Sequence, residues 1–261
     1  MLIQARQART ANTLAPRQQK ATVAGGQIRW YYGPSLRLWL DGYADQRPYA
    51  DVAQNAIDVS GAGVGIFQGT VANRPLRTVT GNASCWEFDG VTDRFDTSAI
   101  DLTTTDKVSV FMLNRKTAAA SGLIFQIGNG AVINGGMQHY RDAALKFHGN
   151  SYQGATYNEQ ATTPVQALNS WICHTTLVDR SLAAAAETKL KVDGSFVTQT
   201  SVVLNDLTAN FTNSTGSIGG WSLGSIPFGG QVAQVLVLNT VFGDIDTYLI
   251  AMYLRQRAGL I

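Results

Sequence analysis

Charge is scarce in this chain of 261 residues: Asp, Glu, Lys and Arg make up 15% of it, against about 25% in an average soluble domain. The surface is therefore expected to be polar but largely neutral. Cysteine is rarer still. The two present, Cys85 and Cys173, sit inside apolar runs, and no second Cys or His stands at metal-ligand spacing beside Cys85, so both read as small buried thiols. If Cys173 and His174 lie on a strand they face opposite sides and cannot act together as nucleophile and base. No apolar run approaches the ~20 residues that span a bilayer. The opening from Met1 to Lys20 lacks the apolar centre of a signal peptide. Membrane spanning and ordinary secretion are accordingly not expected. Acidic residues are missing from positions 1 to 40, which hold Arg6, Arg9, Arg17, Lys20, Arg29 and Arg37, and the rest of the chain carries 14 basic and 18 acidic groups.

What the sequence does have is glycine, 26 residues of it, roughly one in ten against an ordinary ~7%, which favours a turn-rich β protein. Period-two alternation begins at Ser35 to Leu40, and residues 42 to 82 read as long connections. Short or apolar strands follow at Ser84 to Phe88, Val108 to Arg115 and Leu123 to Ile127. Trp171 to Asp179 alternates over the longest middle stretch. Thr188 to Thr198 is a hairpin, because Asp193-Gly194 accepts the positive φ of a two-residue turn. Gly230 to Leu238 is a further strand. Only then does the period change to 3.6: Asp244 can cap a helix with Ile245, Tyr248, Leu249, Met252 and Tyr253 as its apolar stripe, Arg255 and Arg257 near its end and Gly259 as its stop.

Several patterns imitate catalytic motifs. Gly220-Trp221-Ser222-Leu223-Gly224 matches a hydrolase elbow, but its continuation does not open a helix and no His follows His174. Glu87 and Asp89 alternate on one strand like a glycosidase carboxylate pair, without a second glutamate after them. The glycine clusters at 61 to 65 and 128 to 130 lack dinucleotide spacing and read as turns. His139 and His148 read as polar strand residues, and the Asn-x-Ser/Thr patterns at Asn82, Asn210 and Asn213 mark polar turns. Tyr140, Tyr152, Tyr157 and Trp221 offer flat faces that could stack on the apolar faces of sugar rings.

Taken together, Leu38-Trp39-Leu40-Asp41, Trp86-Glu87-Phe88-Asp89-Gly90-Val91-Thr92-Asp93, Val108 to Leu113, Leu190-Lys191-Val192-Asp193-Gly194, Ile218-Gly219-Gly220, Phe228 to Leu238, and Tyr253-Leu254 with Gly259 resemble the laminin-G-like, concanavalin A-like jelly-roll domains of bacteriophage structural proteins. The resemblance spans about residues 36 to 261. It implies an all-β sandwich with one C-terminal helix, preceded by an extended basic arm over residues 1 to 35. Some relatives bind calcium, for which Asp41, Asp89 and Asp93 are candidate ligands here. This chain departs from them at Gln234 and in the reduced Asp58-Val59-Ser60-Gly61 stretch, so no cofactor is assigned.

Two functional expectations follow. The first is a non-enzymatic virion protein, a head decoration or a tail or fibre component assembled in the host cytoplasm. Arg6, Arg9, Arg17 and Lys20 of its arm would meet other capsid or tail proteins, and the domain would associate with copies of itself. The second is a lectin-like carbohydrate-binding module used for adhesion, with Tyr140, Arg141, Tyr152 and Tyr157 as the glycan contacts. The arm's four charges over ~20 residues are too dilute for a nucleic-acid patch.

Overall fold

The computed structural model describes residues 32–44, 55–128, 135–221 and 226–261. Most of the expected arm, including Arg6, Arg9, Arg17 and Lys20, lies outside them, as does Ser222 of the hydrolase-like pattern.

Two antiparallel sheets face each other. The first runs Ser195–Phe196, Thr188–Val192, Ile172–Asp179, Lys107–Lys116, Gly229–Leu238, Ala83–Asp89, Leu76–Thr80, and Leu36–Asp41 pairs with the far half of Gly229–Leu238. The second runs Gln199–Val203, Thr156–Thr162, Phe147–Gln153, Met137–Arg141, Gly122–Ile127, Gly216–Ile218, Phe95–Thr97, Ile66–Phe67, Asn55–Ala56. Their inner faces enclose one apolar core, in which Trp86, Phe88 and Phe95 meet edge to face at 5.9 and 6.0 Å. A second apolar layer, including Trp39, Phe111, Leu113 and Leu236, lies on the other side of the first sheet beneath the C-terminal helix Asp244–Arg257. The central strands of that sheet are therefore buried on both faces, which is why they carry unbroken apolar runs, at 110 to 113 and 235 to 238, rather than strict alternation.

The hairpin at Asp193-Gly194 forms as expected, with φ of 50° and 80° at the two turn residues. Gly194 is fixed twice over, because a Cβ there would also sit 2.8 Å from the Tyr248 backbone of the helix. Gly219, at φ 85°, would drive a Cβ to 2.0 Å from the Phe88 ring. After Phe196 the chain leaves the first sheet, and Gln199–Val203 becomes the edge of the second.

Three expectations need correction. The helix starts where anticipated, but Gly243 holds the N-cap position, and Asp244 instead pairs with Lys191 Nζ at 3.0 Å. Its buried face is Thr247, Ile250, Ala251, Tyr253 and Leu254, while Ile245 and Tyr248 are exposed. Apolar residues encircle this helix, so periodicity does not single out one stripe; the sheet selects the side on which small Thr247 and Ala251 permit close approach. Residues 42 to 82 are not all connection, since they include the strand Leu76–Thr80. His139 and His148, expected as polar strand residues, do lie on strands: Met137–Arg141 and Phe147–Gln153, which with Thr156–Thr162 form the middle of the second sheet.

Candidate functional site

The helix covers the outer face of the first sheet; the outer face of the second is built from polar and aromatic side chains. Register places Gln138, Asn150 and Glu159 opposite one another on three adjacent strands, with Tyr140 beside His148 and Tyr152 beside Tyr157. Because paired residues of an antiparallel sheet share a face, these seven project together. Side-chain bonds confirm it.

Glu159 Oε1 accepts from Tyr140 Oη at 2.6 Å and lies 2.8 Å from His148 Nδ1, while His148 Nε2 lies 3.1 Å from Asp142 Oδ2. The Tyr140 ring stacks on the His148 imidazole with centroids 4.4 Å apart, and Tyr152 stacks on Tyr157 at 5.3 Å. Burial opposes the charge of His148, but its bonds to Glu159 and Asp142 outweigh burial and raise the imidazole above its ordinary 6.5. Burial likewise works against the Glu159 carboxylate, and His148 and Tyr140 overcome it, lowering Glu159 below 4.5. Burial, with Glu159 next to it, pushes the Tyr140 phenol far up, so Tyr140 remains a donor. Beside this group, Tyr152 Oη donates to Gln138 Oε1 at 2.8 Å and accepts from Asn150 Nδ2 at 3.1 Å, and Gln138 Nε2 donates to Gln126 Oε1 at 3.3 Å. Asn150 Oδ1 is buried and has no hydrogen-bond partner among the described residues. Arg180 braces the platform from the core side, donating to Tyr152 O at 2.6 Å and to Ser151 Oγ while its guanidinium lies 3.7 Å over the Phe211 ring. Half-buried aromatic faces next to fixed carboxylate and amide groups can stack a sugar ring and exchange hydrogen bonds with its hydroxyls.

Of the four residues expected to meet glycans, the structure brings together Tyr140, Tyr152 and Tyr157. Arg141, one residue from Tyr140, points the other way: it is fully buried between the sheets, where Nη2 donates to Gln166 O at 2.5 Å. Sequence reasoning missed Glu159, Asn150, Gln138 and the role of His148. Period-two spacing of Gln138 with Tyr140, of His148 with Asn150 and Tyr152, and of Tyr157 with Glu159 was the available signal. His139 is a core residue stacked near Phe125 and Phe147, and burial lowers it to about 3.

The remaining candidates have other duties. Asp41 is buried, binds Arg257 at 2.6 Å and accepts the Tyr43 amide. Asp89 Oδ1 accepts the amides of Val91, Thr92 and Asp93 in a tight turn. Among the described residues no group of three or more His, Cys, Asp or Glu is arranged to hold a metal ion. Cys173 lies in the layer under the helix and His174 on the opposite face, stacked 4.3 Å from Phe147. Burial raises the thiols, that of Cys85 to about 12. Among the described residues no helix is long and apolar enough to cross a membrane.

No protein-family model and no curated protein sequence matches the chain. Solved structures do match. The binding domain of botulinum neurotoxin serotype G aligns with a TM-score of 0.61 at 10% identity, over 84% of this chain and 51% of that one. The type C toxin, whose cell entry is described as dependent upon interaction with two ganglioside molecules, aligns with a TM-score of 0.61 at 10% identity, over 87% of this chain and 53% of that one. A native heptameric SAP-like pentraxin from Limulus polyphemus gives a TM-score of 0.51 at 11% identity, over 67% of this chain and 84% of that one. The fold is a concanavalin A-like jelly roll. The chain spans about half the length of the toxin chains it matches, and at this identity the fold is what it shares with them.

Proposed function

We propose that this chain is a non-enzymatic carbohydrate-binding module that holds glycans on the outer face of its second sheet. The observation that carries the reading is the Tyr140–His148–Glu159 group beside the Tyr152–Tyr157 stack. There, aromatic rings, a carboxylate kept ionised and a buried amide oxygen without a partner among the described residues are locked in place before any ligand arrives. Such preorganisation lowers the entropy cost of binding. The type C toxin, which shares the fold, is described as interacting with gangliosides, and this supports a glycan as the ligand class. A non-catalytic role is supported by Glu87 and Asp89, which are exposed on the opposite sheet, away from this face.

A glycan array probed with the labelled protein tests the reading. Specific binders that are lost in Glu159→Gln and Tyr152→Ala but kept in Glu87→Gln are expected, whereas an array without binders would refute it. A virion role is the second reading. It is favoured by the acid-free stretch holding Arg6, Arg9, Arg17 and Lys20 and by the resemblance to phage jelly rolls; a tether to capsid or tail proteins, with self-association of the domain, is compatible with glycan binding. Deleting residues 1 to 26 would then abolish incorporation into particles, and normal incorporation of the truncated chain would discard the tether.

A further inference from the structure

At the other side of the second sheet the Asp89–Asp93 turn and the Gly220–Trp221 segment close around a cavity of about 110 Å³, lined also by Asn73, Val91, Arg94 and Pro227. We propose that this cavity is a second carbohydrate subsite, which takes one terminal sugar residue independently of the Tyr140–Glu159 face. It rests on the reading of the domain as a glycan-binding module.

The chemistry of the lining supports a hydroxylated ring. Trp221 supplies an aromatic wall, and its indole Nε1 is buried without a hydrogen-bond partner among the described residues. Asp93 Oδ2 accepts the Asp89 amide at 3.1 Å, which leaves Oδ1 as an acceptor with no partner among the described residues. Arg94 is oriented by its Nε, which donates to Asp96 Oδ1 at 3.2 Å, and its two terminal amino groups remain as donors. The Asn73 side-chain amide adds a donor and an acceptor to the same wall. Vicinal ring hydroxyls, each able to donate and accept, suit an alternation of carboxylate, amide and guanidinium, while Val91, Pro227 and the indole face the apolar side of the ring. The acceptor is short of donors: burial, and then the neighbouring Asp89, raise the Asp93 carboxyl to about 6. The turn is rigid, because Asp89 already ties down three backbone amides.

Size and distance decide the mode. A space of about 110 Å³ is smaller than the ~150 Å³ cavity that accommodates benzene, so it admits part of one ring and not a chain of rings. The Asp96 strand is five strand steps from that of Glu159, roughly 24 Å at ~4.8 Å per step. Between them Gln126 and Ser217 are fully buried. The cavity and the tyrosine face are therefore separate openings, and two such contacts on one branched or clustered glycan would multiply affinity through effective concentration.

Saturation-transfer NMR on the full chain tests this, with the methyl glycosides of glucose, galactose, mannose, N-acetylglucosamine and N-acetylneuraminic acid as probes. The expected result is transfer to one of them that falls at least tenfold in both Trp221→Ala and Asn73→Ala and is retained in Glu159→Gln, with melting temperatures showing all three variants folded. Asn73 is only partly buried, so its variant keeps the test valid if Trp221→Ala unfolds. Transfer lost in Glu159→Gln but untouched by the cavity variants would overturn the second subsite and leave the tyrosine-face reading standing. No transfer to any glycoside would overturn the subsite by itself, and joined to an array without binders it would remove both.

Discussion

Lys116 is the residue whose removal should improve this protein. Its side chain enters the sandwich fully buried, with Nζ 5.4 Å over the Phe228 ring and no hydrogen-bond partner among the described residues. Arg141, whose charge acts on it, is fully buried as well. Burial first, and repulsion from Arg141 second, lower the Lys116 ammonium from 10.5 to about 8, against a small opposing pull from Asp142. At about 1.36 kcal/mol per pH unit, that fall corresponds to a cost of about 3 kcal/mol when the group is charged. The unfolded chain holds the proton up to about 10.5 while the folded chain releases it from about 8, so wild-type stability rises with pH across that window and bears the full cost at pH 7. Lys116→Met keeps the apolar stem and deletes the charge. Urea denaturation at pH 7 should show the variant more stable by about 3 kcal/mol, with the gain shrinking towards zero near pH 10.5. A variant no more stable than wild type at pH 7, or a gain that does not change with pH, would refute the burial of an unpaired ammonium.

Other outcomes follow from the same contacts. Ile250→Asp should destabilise the domain by several kcal/mol, because Ile250 is buried on the face of the helix that packs on the sheet, whereas Ile245→Asp on the exposed side should change the melting temperature little. Arg257→Ala leaves the Asp41 carboxylate buried and unpaired and should cost about 3 kcal/mol by chemical denaturation. The His148–Glu159 pair has a pH signature. Raised His148 contributes stability that is complete below 6.5 and is lost as pH climbs through its elevated value, and lowered Glu159 contributes stability that is complete above 4.5 and is lost on acidification. Melting temperatures should therefore show a pair-dependent maximum between pH 4.5 and 6.5 that Glu159→Gln flattens.

The parts of the fold that announced themselves are those where one physical demand dominates. Lys107–Lys116 and Gly229–Leu238 are covered on both faces and so carry unbroken apolar runs at 110 to 113 and 235 to 238, and Asp193-Gly194 is one of few pairs that fit a two-residue turn. Where demands compete, the pattern blurs. The strands from Met137 to Thr162 carry the polar binding face outward and also His139, Arg141, Asn158 and Gln160 inward, which leaves no apolar alternation to read. Parity along the strand that carries His139 separates Tyr140 from Arg141. The helix was legible as a helix but not in its orientation, since that depends on which side fits the sheet. The Trp221 cavity joins Asn73, residues 91 to 94, Gly220, Trp221 and Pro227, a meeting produced by tertiary folding that no local spacing records.

The most direct test of glycan recognition on the second sheet is an NMR titration of isotope-labelled protein with the strongest oligosaccharide from the array. Shift changes should concentrate at Gln138, Tyr140, His148, Asn150, Tyr152, Tyr157 and Glu159 and disappear in Glu159→Gln. Saturable changes confined to the helix over residues 244 to 257 and the sheet beneath it, with the tyrosine face unmoved, would contradict the assignment.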